Sequence, residues 1–196
     1  MGPGYVWTLT NNGTLTGYQT NAALSSPTVL SGTSSADVGS GTTITISGNL
    51  SGAGTFTKNG SGTLLLSGDN ASLSVNTTVA AGVLQAGSVN AFGTGTISIT
   101  SGAAVDLNGQ SMTAGGTLGL RGTGVSSGGA LMNSSATVAA YPGLVTSATS
   151  GSVIAGNGSI TLGAMSISTT TVLTLGGSTG GIVTGAISSG LSGSLV

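Results

Sequence analysis

Residues 49–113 read NLSGAGTFTKNGSGTLLLSGDNASLSVNTTVAAGVLQAGSVNAFGTGTISITSGAAVDLNGQSMT, and their rhythm decides the fold. The stretch holds very short alternating runs, TFT, TLLLS, VLQA, TISIT and AVDLN. Each is bracketed by Gly, Ser, Asn or Asp. Alternation of period two puts one set of side chains on one face of a strand. Gly, Asn and Asp then turn the chain every few residues. Many short strands with a corner after each predict a chain that coils as a β-solenoid. In Thr63–Ser67 the alternation sends Leu64 and Leu66 inward and Thr63, Leu65 and Ser67 outward. In Thr96–Thr100 it sends Ile97 and Ile99 inward and Thr96, Ser98 and Thr100 outward.

The pattern Gly-x-Gly-[Ser/Thr]-apolar-x-apolar begins at Gly60, Gly93 and Gly156. A near match begins at Gly52, and a variant one residue longer at Gly39. The paired glycines suit corners that need positive φ or close backbone approach, and the β-branched residues after them suit a pleated surface. The unequal spacing predicts coils that share a core register and differ in corner length. Residues 114–150 are looser, with short strands expected at 117–120, 130–132 and 136–139 and a turn at Tyr141-Pro142-Gly143. Alternation returns over 151–188. No capped apolar stripe of period 3.6 appears, so no helix is expected. At roughly 20–25 residues per coil the chain makes on the order of eight to ten coils.

Residues 1–39 form a distinct N-terminal cap or docking segment by this reading, and 40–196 the solenoid coils. Half of the six aromatic residues, Tyr5, Trp7 and Tyr18, lie in that first segment. Terminal repeats of solenoids are often atypical and serve as caps.

Composition excludes several functions. Of 196 residues 38 are Gly and only 3 Pro, and charged residues are 3% against a typical ~25%. Hydrophobic content is 38% and net charge −1, which suits a thin core of small aliphatic side chains and not a disordered chain. Lys58 and Arg121 are the only cations. Two cations cannot neutralise a phosphate backbone, so no nucleic-acid partner is expected. No apolar run reaches the ~18 residues of a membrane helix, and Met1-Gly-Pro-Gly opens no signal peptide. The chain is therefore expected to be a mature or excised segment, or one exported by another route.

His, Cys and Glu are absent. No Ser-His-Asp triad, Cys-His pair, zinc site or disulfide can be built, and the chain is read as non-enzymatic with no catalytic, metal or cofactor residues. Asp37, Asp69 and Asp106 are the only side-chain carboxylates. Asp69, in Gly-Asp-Asn, is expected to bond its own corner backbone. Asp106, flanked by inward-facing residues, is expected to face solvent.

Residues 52–110 resemble the autotransporter-associated β-strand repeat, also called the passenger-associated transport repeat. The resemblance rests on GAGTFTKNGSGTLLLSGDN at 52–70, VAAGVLQAG at 79–87 and AAVDLNGQ at 103–110. Residues 71–78 lack the tyrosine-and-glycine ending usual in that repeat. The resemblance implies an all-β fold, a right-handed parallel β-helix, in an exported protein of the bacterial surface. No translocator barrel lies within these residues, so the resemblance does not imply autonomous secretion as an autotransporter.

Two roles follow as expectations. One is a structural stalk or fibre segment, extracellular or on the cell surface, that associates head to tail through Tyr5, Trp7 and Tyr18 at one end and Leu195 and Val196 at the other. The chain has few charges to oppose such stacking. The other is an adhesin-like module whose Thr/Ser/Asn-rich face holds a surface glycan, a host surface or ice.

Overall fold

The computed structural model describes residues 7–10, 13–17, 22–147, 149, 152–168, 171–189 and 194–195. They form an all-β parallel solenoid of about eight turns. Every pairing between strands is parallel, and each strand pairs with the equivalent strand one turn later. Among the described residues the only helical element is a single 3-10 turn, Val125–Ser127.

Each turn runs from a ten-stranded first sheet to a nine-stranded second sheet and returns along a third side. The third side becomes a ladder only late, at Ala139–Tyr141, Ile160–Leu162 and Ile182–Val183. The coil length follows from the register. Thr77 lies beside Ile97 and Ile97 beside Leu118, so those turns take 20 and 21 residues. Leu118 lies beside Val145, so that turn takes 27.

Alternation places the core as the sequence predicts. Leu64, Leu66, Ile97 and Ile99 are buried, and Thr63, Leu65, Ser67, Thr96, Ser98 and Thr100 turn outward. Ile44, Leu64, Leu84, Val105 and Leu131 stack as one buried row of the second sheet. Phe56, Thr77, Ile97, Leu118, Val145 and Met165 form a buried row of the first. Fully burying a Leu or Ile side chain contributes about 1.5–3 kcal/mol, which is how a core one side chain deep holds the coils together.

Asparagine ties the corners across turns. Asn70 is buried, accepts from the Leu50 amide at 2.7 Å and donates to the Ala91 carbonyl at 2.7 Å, so it joins three turns. Asn133 does the same, accepting from the Gly109 amide at 2.8 Å and donating to the Thr137 and Ser159 carbonyls.

The Gly-x-Gly pattern marks three different places. Gly60-x-Gly62 is the corner between the first and second sheets. Gly93-x-Gly95 leads into the first sheet, and Gly156-x-Gly158 leads into the third side. Gly52-x-Gly54 is a bend inside the strand Leu50–Asn59. The expected reason for unequal spacing is corrected accordingly: the motif recurs at different corners, not at one corner of varying length. Its common cause is close stacking. A Cβ on Gly95 would lie 1.8 Å from the Val75 carbonyl oxygen of the preceding turn.

Two local expectations are also corrected. The strand expected at 136–139 is Ala139–Tyr141, because residues 134–138 make the corner. Tyr141 ends that strand instead of opening a turn. Its ring is buried under Gly115, and its hydroxyl donates to the Gly116 carbonyl at 3.0 Å.

Candidate functional site

The outer face of the first sheet carries the most ordered polar surface of the solenoid. Register places Ser35, Thr57, Thr78, Ser98, Gly119, Thr146, Ser166 and Ser188 in one outward row, a hydroxyl in every turn but one. Two residues earlier on the same face, Thr33, Thr55 and Asn76 begin a second row, and the Thr33 and Thr55 hydroxyls lie 3.4 Å apart. Adjacent turns bring these groups about 4.8 Å apart. The second sheet has no such array. Its outward row passes through Thr45, Leu65, Gln85, Asp106 and Met132. Of the run Thr169-Thr170-Thr171, the first two lie outside the described residues, and Thr171 is buried, its hydroxyl donating to the Ser168 carbonyl at 2.9 Å.

Three of the five charged residues, Asp37, Lys58 and Arg121, lie along the edge between the first and second sheets, with Arg121 three turns beyond Lys58. Lys58 is not on the surface. It occupies an inward position between Ala36 and Val79 and is 0% exposed. Its Nζ donates to the carbonyls of Gly60 at 2.6 Å, Gly62 at 2.7 Å, Ala81 at 3.0 Å and Asn59 at 3.1 Å. Burial pushes the ammonium down from 10.5 to about 8, while the nearby Asp37 carboxylate pulls the other way. A charge can occupy the core here because the corner carbonyls converge on it. Strict alternation from Phe56 through Lys58 is the sequence signal that places it inside.

Arg121 differs in every respect. It is exposed, and no described residue is a partner of its guanidinium. Gly122 stacks on Ser101 of the turn below, which sets Arg121 above Thr100 at the edge of the hydroxyl face. It opens a connection of ten residues, 121–130, between Leu118–Leu120 and Leu131–Asn133. The equivalent connections at 39–42, 60–62, 80–82 and 100–103 have three or four. The long connection closes on itself through a bridge between Gly124 and Gly129 and a 2.8 Å bond from the Gly129 amide to the Thr123 carbonyl. At its exposed tip Ser126 and Ser127 have φ of 49° and 61°. Each such residue costs of order 1–3 kcal/mol, and strain of this kind gathers at functional positions.

The remaining acids do not converge on a reaction centre. Asp69 accepts from the Ala71 amide at 3.3 Å, the expected corner bond, and from Asn90 Nδ2 at 2.8 Å. Asp106 is a correction. It points away from the core as alternation requires, yet it is 0% exposed. Its carboxylate accepts from Ser134 Oγ at 2.6 Å, Gln85 Nε2 at 2.8 Å, the Asn108 amide at 2.9 Å and the Ser134 amide at 3.0 Å. Gln85 and Ser134 come from the turns before and after it, so a position one residue out of phase with the core is roofed by its neighbours. Among the described residues no group of three acids forms a metal site.

Of the residues expected to carry self-association, Tyr5, Tyr18 and Val196 lie outside the described residues. Trp7 begins the strand Trp7–Thr10 and pairs with Thr28, and Leu195 pairs with Leu173. Near the C-terminal end Val172, Leu175, Ile182 and Ile187 are exposed. A cleft of about 230 Å³ opens there between Ile154, Ile160, Leu162, Leu175, Ile182 and Val183.

Fold and surface together define a parallel β-solenoid with a neutral, hydroxyl-lined exterior, which fits an autotransporter passenger. Over 104 residues the chain is 42% identical to the adhesin BmaC autotransporter of Brucella suis biovar 1 (strain 1330). That match takes in 50% of this chain and 3% of the relative, so the chain spans a small fraction of the relative's length. No family model matches the chain, and no solved structure does. The similarity and the fold support a role at the cell surface, structural or adhesin-like.

Proposed function

We propose that this chain is a stalk segment of a bacterial surface adhesin, non-enzymatic, which holds its first sheet outward as a binding face. The observation that carries the reading is the hydroxyl row on a parallel ladder, from Ser35 to Ser188, broken only at Gly119. A ladder in which each turn bonds the next is rigid, and a neutral hydroxyl face adheres through many weak polar contacts. The similarity to an adhesin autotransporter supports the surface location. In this reading residues 52–110 are an autotransporter-associated repeat that helps the passenger fold during export. The test is adhesion by beads coated with the purified chain, counted on cultured epithelial monolayers. Retention above beads carrying equal albumin is expected; equal retention overturns the reading.

A second reading has its own observation. The exposed Val172, Leu175, Ile182 and Ile187, with the cleft that Leu175 and Ile182 line, form an apolar end. We propose that segment 1–39, with Tyr5, Trp7 and Tyr18, docks on this end of a second copy, beside Leu195 and Val196, in a head-to-tail contact that propagates.

A further inference from the structure

We propose that Arg121 and the connection that follows it form a binding site for a carboxylated sugar, a glycan that carries uronic acid. The inference rests on the adhesin reading and names its ligand class.

Three observations meet at this corner. First, Arg121 is the one exposed cation among the described residues, since Lys58 is enclosed by carbonyls. Its planar fork has no partner among the described residues and presents donors matched to a carboxylate. Second, the connection is more than twice the length of its counterparts and is held closed at Gly124 and Gly129. Its strained tip keeps Ser126 and Ser127 exposed beside the exposed Thr123. A solenoid turn needs none of this to stack, because the other turns pass the corner in three or four residues. Third, Arg121 lies at the edge of the hydroxyl face, next to Thr100 and two residues beyond Gly119, the register partner of Ser98.

The chemistry selects the ligand. A single guanidinium fixes one carboxylate but cannot offset a nucleic-acid backbone. The surrounding hydroxyls both donate and accept, as sugar hydroxyls do. The exposed loop tip, Ser126-Ser127-Gly128, has no apolar side chain for a peptide to pack on. An acidic peptide would engage only the arginine, whereas an acidic glycan engages the arginine and the hydroxyls together.

The experiment is an NMR titration of the whole 15N-labelled chain with a hyaluronan tetrasaccharide. Controls are chitotetraose, which lacks carboxylates, and a tetraglutamate peptide. Shift changes are expected at 121–129 and at Ser98–Thr100, with the peptide and the neutral sugar bound at least about tenfold more weakly. Arg121→Gln should weaken hyaluronan binding at least about tenfold, with an unchanged circular dichroism spectrum. Arg121→Lys, which keeps the charge and loses the fork, should recover only part of it. Equal binding of chitotetraose, peptide binding as tight as the sugar, shifts confined to other residues, or an unaffected Arg121→Gln variant would each overturn the proposal. Bead adhesion is scored separately. If adhesion persists while the sugar fails to bind, this site falls and the adhesin reading stands. If the sugar binds and no adhesion is seen, the reverse holds.

Discussion

Lys58 shows what one residue does inside a core one side chain deep. Its ammonium is held by four backbone carbonyls, yet burial still lowers its pKa from 10.5 to about 8. Between those values the unfolded chain binds the proton that the folded chain has released. Stability therefore rises with pH through that window, and the cost of the buried charge is full below about 8. Tyr141 has the opposite sign. Burial raises its hydroxyl from 10.0 to about 12, so between those values the folded chain keeps a proton that the unfolded chain loses, and stability falls. The urea midpoint is expected to climb from pH 7.5 to 9.5 and to drop by pH 11. Lys58→Met should remove the climb. A midpoint that is flat between pH 8 and 10 in the parent chain would show that the carbonyl cage fully compensates the burial. The alternation of Phe56 and Lys58 already pointed the lysine inward.

The strand is the scale at which the sequence was most legible. In Thr63–Ser67 and Thr96–Thr100, period two and β-branched residues agree, and the inward and outward faces follow directly. Leu66→Asp buries an unpaired carboxylate and should destabilise by more than about 4 kcal/mol. Ser98→Asp, on the opposite face, should stay within about 0.5 kcal/mol. Equal urea midpoints for the two variants would refute the register. The corners were less legible. One Gly-x-Gly motif serves several kinds of corner because each needs the same thing, a backbone without Cβ under the preceding turn. The enclosure of Asp106 by Gln85 and Ser134 depends on residues 21 and 28 positions away. The Arg121 connection was legible only as a loosening of the rhythm. Which side chains it carries beside the hydroxyl rows depends on the stacking of turns, which a single strand does not encode.

At the scale of the molecule the stack is uniform except at the 27-residue turn and at the apolar C-terminal end. If that end docks a second copy, sedimentation velocity should show mass growing with concentration, and Ile182→Asp with Ile187→Asp should abolish the growth. A parent chain that stays monomeric at millimolar concentration would end the docking reading.

The ladder bonds also set a mechanical response. In a parallel solenoid they lie along the axis, so tension between the chain ends pulls turns apart in series. Each turn of about 21 residues occupies ~4.8 Å when stacked and spans up to ~70 Å when unravelled. The turn with the long connection releases up to ~90 Å. In the proposed adhesin reading, a filament of such turns, anchored at a cell and held at its far end, would lengthen in steps under drag. It would take up a sudden load turn by turn before the load reaches the contact at its tip.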